Sequence, residues 1–217
     1  MSNVIILILE CIGTIAFSIT GVFAAVKSKL DFFGTCFVGC ITAVGGGMIR
    51  DMLLGITPPL VFENVSMILI ALAVSVIVFL LLYVNKDLYR HKTKIEYINN
   101  AFDAIGLGVF AIMGAETACS YGYQDNLILV CVTGILTGVG GGMLRDVLTR
   151  SIPVVLRKYV YAVAALAGIL VFYLLKITID NLAVASTVAV LIVVTIRLLA
   201  SKYKWNLPVI HINEGVN

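Results

Sequence analysis

The sequence predicts an all-α integral membrane protein with seven transmembrane helices, arranged as two inverted three-helix repeats plus a seventh helix. Three observations predict this fold class. Hydrophobic residues make up 61% of the 217 residues and charged residues only 12%, which is more apolar than a soluble domain requires. Seven apolar runs are long enough to cross a bilayer. An eight-residue motif occurs twice, 95 residues apart, as VGGGMIRD from Val44 and VGGGMLRD from Val139.

The seven runs each have the length that a helix needs to cross a hydrocarbon core of about 30 Å. The predicted spans cover residues 4–26, 32–54, 64–84, 98–118, 126–149, 158–176 and 182–200. Spans 2 and 5 carry the glycine motifs, and span 4 is less apolar because it contains Asp103 and Glu116. No basic segment precedes the first run, which favours a retained span over a signal peptide.

The distribution of Lys and Arg predicts an outside N-terminus and a cytoplasmic C-terminus. In this orientation Lys176 is the only basic residue in the outer connections. The other basic residues outside the motifs lie on the cytoplasmic side. These inner residues are Lys27, Lys29, Lys86, Arg90, Lys92, Lys94, Arg150, Arg157, Lys158, Arg197, Lys202 and Lys204. The group Lys86, Arg90, Lys92 and Lys94 is either a topology signal alone or also a site for anionic lipid headgroups.

The two halves of the chain align with each other. ECIGTIAFSITG at 10–21 matches DAIGLGVFAIMG at 103–114, and the two glycine motifs match in turn. Because each repeat has three spans, the second must enter the membrane from the opposite side, and such folds place their sites near the midplane. The predicted organisation is a first repeat at 1–84, a cytoplasmic loop at 85–97, an inverted repeat at 98–176, a seventh helix at 177–200 and a cytoplasmic tail at 201–217.

The two glycine triplets have two interpretations. Each glycine inside a helix costs about 0.8–1 kcal/mol relative to alanine, so three together predict a break in helices 2 and 5 beside a pathway. Tight packing is the alternative, because small residues four apart allow helices to approach closely. The central position and the recurrence of the triplets favour the break. The residues concerned are Gly45, Gly46, Gly47, Gly140, Gly141 and Gly142.

Charged residues inside the spans predict buried ion pairs, since an ionisable group in the bilayer needs a partner. At about 1.5 Å per residue, Glu10 lies at the depth of Arg50 on the outer side. Asp103 lies at the depth of Arg145 on the inner side. The adjacent acidic residues of the motifs, Asp51 and Asp146, are predicted to compete for the same arginines. The pairs either only hold helices together or form a gate at a constriction.

Thr42 and Thr137 lie one turn before the triplets and are candidate polar residues of a pore. Their hydroxyls either bridge freed backbone groups or bond back to their own helix. Glu63 and Glu116 are predicted at the membrane interface.

Several function classes are excluded by the pattern. The chain contains no HExxH, P-loop or GxSxG motif, so we expect no enzyme activity and no catalytic residues. Its two histidines, His91 and His211, lie outside the spans, which predicts no metal site and no haem or other cofactor within the membrane. The basic residues form no patch interleaved with aromatic residues, so no nucleic-acid partner is expected.

The doubled GGG-x-x-Arg-Asp motif, within two three-span repeats and a seventh helix, resembles a bacterial family whose repeat is called the glycine transporter domain. That family is similar to the trimeric intracellular cation (TRIC) channels. The resemblance implies a homotrimer in the bacterial cytoplasmic membrane, with a pore in each protomer that passes K⁺ or Na⁺, chiefly K⁺. Helices 2 and 5 would line this pore, with Arg50 and Arg145 as its gate. Animal members carry Lys-Glu-Val where this chain has Met48 to Asp51.

A secondary transporter of glycine or another small solute is the alternative function. In that case helix ends and an arginine would bind the carboxylate of the solute, and the two repeats would rock against each other. Three spans per repeat leave little protein for a separate moving bundle, which favours the channel. A purely structural role fits poorly with the paired buried charges.

Overall fold

The seven predicted spans are present in a computed structural model, which describes residues 2–85, 92–156, 160–179 and 181–205. Within these residues, seven helices are long and apolar enough to cross a membrane. They are α1 (Ser2–Lys27), α2 (Phe32–Leu54), α3 (Ser66–Val84), α4 (Lys92–Ala118), α5 (Leu127–Leu148), α6 (Tyr161–Thr178) and α7 (Leu182–Lys202). A one-turn helix, Leu60–Glu63, precedes α3, and a 3-10 turn, Val154–Leu156, precedes α6.

The predicted cytoplasmic loop at 85–97 is too long, because α4 already begins at Lys92. The polar stretch that follows contains helix-forming residues and lacks Gly and Pro, so polarity alone misplaced the boundary. At its other end α4 runs into a π-helical turn, Cys119–Tyr123. Some predicted residues lie outside the described part of the chain, either entirely or in their side chains: Lys86, Arg90, His91, Lys92, Lys94, Arg157, Lys158 and His211.

Local capping signals set the ends of the helices that carry the motifs. The Asp31 carboxylate accepts a hydrogen bond from the Gly34 amide (2.7 Å) at the start of α2. Asn126 caps α5 in the same way through the Leu129 amide (3.1 Å). Gly55 ends α2 in the left-handed conformation, with φ of 72°. These caps place the glycine motifs in the second half of each helix.

The helix contacts repeat between the two halves. Helices α1, α2, α4 and α5 form the centre, α3 packs on α1 and α2, and α6 packs on α4 and α5. Helix α7 has no counterpart in the first repeat and packs mainly on α4 and α6. The least apolar span, α4, is also the most buried of the seven, so its polar side chains face protein rather than lipid.

Equivalent aromatic residues of the two repeats meet at the centre. The rings of Phe17 and Phe110 lie 5.2 Å apart, centroid to centroid. A Cβ atom on Gly106 would overlap the Phe17 ring, and one on Gly13 would lie 3.3 Å from the Phe110 ring. Each ring therefore occupies space that a glycine of the other repeat leaves free, as expected near a pseudo-two-fold axis.

Candidate functional site

The glycine triplets lie inside continuous helices. Helices α2 and α5 are unbroken through Gly45, Gly46 and Gly47 and through Gly140, Gly141 and Gly142. Among the glycines in the described residues, only Gly55 and Gly122 have positive φ. The predicted helix breaks are therefore wrong. Opening a helix within the bilayer would free backbone groups that have no water to bond, and here the triplets provide close packing instead.

The central glycines bring the backbones of α2 and α5 into direct contact. A Cβ atom on Gly46 would collide with the carbonyl oxygen of Thr137, and one on Gly141 would collide with that of Thr42. The first glycines face apolar side chains of the partner helix, Gly45 against Leu144 and Gly140 against Ile49. These reciprocal contacts leave no room for an ion between the two helices at this level.

The third glycine of each triplet lies beside an arginine side chain of its own helix. A Cβ atom on Gly47 would lie 3.6 Å from Nη2 of Arg50, and one on Gly142 would lie 3.7 Å from Nη2 of Arg145. Each guanidinium therefore lies over the glycine one turn before it.

Thr42 and Thr137 bond to their own helices. The Thr42 hydroxyl donates to the Val38 carbonyl and the Thr137 hydroxyl to the Thr133 carbonyl, both at 2.6 Å. Of the two predicted alternatives, the structure shows this back-bonding. Both hydroxyls also pack against glycines of neighbouring helices, Gly21 and Gly114 respectively.

Arg145 is the centre of a buried charged cluster on the predicted inner side. Its Nη1 donates to Asp103 Oδ1 and to the Thr20 hydroxyl, both at 3.0 Å, and its Nε donates to Asp146 Oδ1 at 2.8 Å. The side chain is only 4% exposed. The structure thus brings Asp103 and Arg145 together, and one guanidinium links α1, α4 and α5.

Arg197 of α7 belongs to the same cluster. Its Nη2 lies 3.5 Å from Asp103 Oδ2 and 3.5 Å from Asn100 Oδ1. Its guanidinium lies 4.3 Å above the centre of the Tyr161 ring, and the residue is completely buried. The sequence interpretation used Arg197 only as a topology signal. The predicted span 182–200 already contains Arg197, and an arginine inside a span could have indicated a buried charge that needs a partner.

The outer counterpart of this cluster is built differently. Arg50 pairs with its neighbour Asp51, with Nη2 and Nε each 2.8 Å from Oδ1. The predicted pair of Glu10 with Arg50 is not formed, because the guanidinium lies along its own helix and its ion pair is with the adjacent carboxylate. In addition, the repeat position of Thr20 is occupied by Met113, which offers no hydroxyl to hold Arg50 against α4.

Asp51 and Asp146 anchor the segments that follow their helices. Oδ2 of Asp51 accepts a hydrogen bond from the Leu60 amide, and Oδ2 of Asp146 accepts one from the Val154 amide, both at 2.9 Å. Each carboxylate thus binds its arginine with one oxygen and the next segment with the other. Both aspartates thus bind the arginines for which they were predicted to compete, and each also holds the segment that follows its helix.

Replacing Asp51 with alanine is expected to loosen the 55–65 segment. The change removes the acceptor of the Leu60 amide and leaves the mostly buried Arg50 without its carboxylate, which together cost about 3 kcal/mol of stability. Thermal unfolding and limited proteolysis of the purified protein measure the effect. Asp31→Ala is the control, because it removes an exposed carboxylate–amide bond worth about 1 kcal/mol. Equal effects of the two changes would contradict the double role of Asp51.

Other charged residues lie at the periphery. Glu116 pairs with Lys176 (2.5 Å), and both side chains are partly exposed near one end of their helices. Glu63 is exposed. Among the described residues, no group of His, Cys, Asp and Glu is arranged to hold a metal ion. The feature common to both repeats is therefore the ion pair of arginine and aspartate in each glycine motif.

These features define a multi-pass membrane protein of two inverted repeats, with arginine–aspartate motifs buried where the repeats meet. Residues 7–83 and 100–176 each match the family model described as glycine transporter. The chain belongs to this family.

Curated relatives from bacteria agree with this assignment. The inner membrane protein YadS of Escherichia coli, of the group UPF0126, is 34% identical over 211 residues, covering 95% of this chain and 97% of the relative. A UPF0126 membrane protein of Vibrio cholerae is 38% identical over 161 residues, covering 74% of this chain and 64% of the relative's length. The chain is thus a multi-pass protein of the bacterial inner membrane.

Solved structures extend the similarity to the fold. A prokaryotic TRIC channel in 0.5 M KCl is 37% identical, with a TM-score of 0.84, covering 93% of this chain and 98% of that one. The TRIC trimeric intracellular cation channel orthologue from Rhodobacter sphaeroides is 30% identical, with a TM-score of 0.81, covering 91% of this chain and 97% of that one. The chain therefore has the TRIC fold, which belongs to channels and not to enzymes.

Proposed function

We propose that this protein is a channel for monovalent cations, with K⁺ favoured, and that it forms a homotrimer with one pore in each protomer. The observation that carries the proposal is its similarity to TRIC cation channels over more than nine-tenths of the chain at 30% identity or more. The trimer is proposed from the trimeric Rhodobacter orthologue.

The proposed pathway follows the interface of α2 and α5, with Arg50 near one end and Arg145 near the other. In this proposal the contact of Gly46 with Gly141 is the closed point of the pathway. Separation of the two helices would uncover the carbonyl oxygens of Thr42 and Thr137, which face the partner's glycines and carry no side chain opposite them. Carbonyl oxygens are the ligands that K⁺ channels use in place of water.

The charges of the motifs support a path for cations. Each arginine has a carboxylate at 2.8 Å, so neither motif carries a net positive charge. The Glu10 carboxyl group, half-buried on α1, is close enough to Arg50 to interact with it electrostatically. A cation at either end would therefore meet no net positive charge despite the arginines.

The proposed orientation places the N-terminus outside. The Ser28 hydroxyl donates to the Thr149 carbonyl (3.2 Å), which puts the loop after α1 beside the end of α5. Lys27, Lys29 and Arg150 thus share one face, which the positive-inside rule assigns to the cytoplasm.

Recording from purified protein in planar bilayers tests the channel. With a K⁺ gradient we expect unitary currents whose reversal potential follows the K⁺ equilibrium potential. Native mass spectrometry tests the trimer. Saturable glycine counterflow without unitary currents would contradict the channel and support the transporter alternative.

A further inference from the structure

The inner cluster contains two arginines and two aspartates that can divide into two neutral pairs. Arg145 and Asp146 are neighbours on α5 and are joined at 2.8 Å. Asp103 on α4 shares its two oxygens, Oδ1 with Arg145 at 3.0 Å and Oδ2 with Arg197 at 3.5 Å. If α5 moves away from α4, the bond between Asp103 and Arg145 breaks, and each side keeps one positive and one negative group.

This division matters because an uncompensated charge inside the membrane is costly. Without Arg197, separation of α5 would leave the buried Asp103 carboxylate with no cation, and the separated state would be disfavoured. Arg197 is held in place for this task by the Tyr161 ring and by Asn100. It approaches Asp103 from α7, which packs on α4 and α6 rather than on α5.

The outer half does not need such a group. Arg50 already forms a neutral pair within α2, and the repeat position of Asp103 is Glu10, which is only half-buried. The helix that carries Arg197 has no counterpart in the first repeat. The seventh helix thus supplies a second cation to the half of the protein in which a buried acid on one helix, Asp103 of α4, pairs with an arginine on another, Arg145 of α5.

We propose that Arg197 is a positioning residue for gating, which keeps Asp103 neutralised when Arg145 separates from it and so permits the inner side to open. The inference rests on the proposed channel function. It assigns the motion to α5 and the fixed side of the gate to α4 and α7.

Single-channel recordings in symmetric KCl, with four proteins, test the inference. Arg197→Gln is expected to lower the open probability about tenfold without changing the unitary conductance, because Arg197 lies off the path and acts only on opening. Arg197→Lys retains the charge and should fall between Arg197→Gln and the wild type. The double variant Asp103→Asn with Arg197→Gln removes the carboxylate that needs a counter-ion, and should open at least as often as the wild type.

Spin labels at Val147 and Tyr203, both exposed, give a second readout that needs no current. In trimers diluted with unlabelled protein, the measured quantity is the distribution of distances between the label at the end of α5 and the label at the end of α7. The Arg197→Gln variant should lose the longer of these distances. The double variant should show them again. If the wild type passes no unitary current, the channel proposal fails, and these distances still decide the inference.

Three results would overturn the role of Arg197: unchanged gating and distances in Arg197→Gln, an effect on unitary conductance alone, or a double variant that stays as closed as the single one. If Arg197→Gln does not fold, the double variant is compared directly with the wild type. Opening at least as frequent as in the wild type, or longer distances, then supports the inference, and fewer openings with unchanged distances contradict it.

Discussion

Gly46→Ala is expected to destabilise the protein by about 3 kcal/mol, at the upper end of the usual range for overpacking. The added methyl group would collide with the carbonyl oxygen of Thr137, a backbone atom that can move only if α2 and α5 separate. Gly141→Ala should behave alike, because its methyl group would meet the carbonyl of Thr42. For a chain of this length the melting temperature should fall by roughly 6–12 °C, measured by circular dichroism in detergent.

The neighbouring glycine provides the control. Gly47→Ala places its methyl group at ordinary contact distance from the end of the Arg50 side chain, which can shift at little cost. The helix gains about 0.8–1 kcal/mol from alanine, so Gly47→Ala should be neutral or slightly stabilising. If Gly46→Ala were as stable as Gly47→Ala, the backbone contact between α2 and α5 would not exist in the folded protein.

Arg145→Ala is the second change with a large expected effect, a loss of about 3–5 kcal/mol. It removes the guanidinium that joins Thr20, Asp103 and Asp146, and leaves two buried carboxylates with only one arginine near them. Denaturant unfolding of the purified protein measures the loss. Because three helices meet at this side chain, we expect the folding transition also to broaden.

Arg50→Ala is the matched comparison, since the two arginines are equivalent by repeat. The described hydrogen bonds of Arg50 stay within its own helix, and Asp51 keeps the Leu60 amide, so the loss should be about 2 kcal/mol smaller than for Arg145→Ala. Equal losses would show that the two halves are held with the same strength, contrary to the contacts of the structure.

The span count, the repeats and the inner pair of Asp103 with Arg145 were accessible from the sequence, because each depends on periodicity or depth. Helix length and apolar runs locate the spans, and the depth of a residue follows from its position in a helix. The choice between packing and breakage at the glycines was not accessible in this way. It depends on whether another backbone lies opposite, and that is a property of two helices together.

The failed pair of Glu10 with Arg50 has a similar cause. Depth places both groups at one level, but the direction of the guanidinium decides which acid it reaches. Asp51 is the adjacent residue, and Met113 replaces the hydroxyl that holds Arg145 on the other side. Arg197 was missed because a basic residue near the end of a span is read first as a signal for topology.

The exchange of Phe17 and Phe110 between the spaces left by Gly106 and Gly13 has a consequence for the origin of the fold. Such reciprocal contacts are those of an isologous interface, in which the same surface serves on both sides. A three-helix chain inserted in both orientations would make these contacts as an antiparallel dimer. If two copies of such a chain were fused, the contacts at the centre would stay the same. The seventh helix, which has no counterpart in the first repeat, would then make the two membrane sides of the protein different.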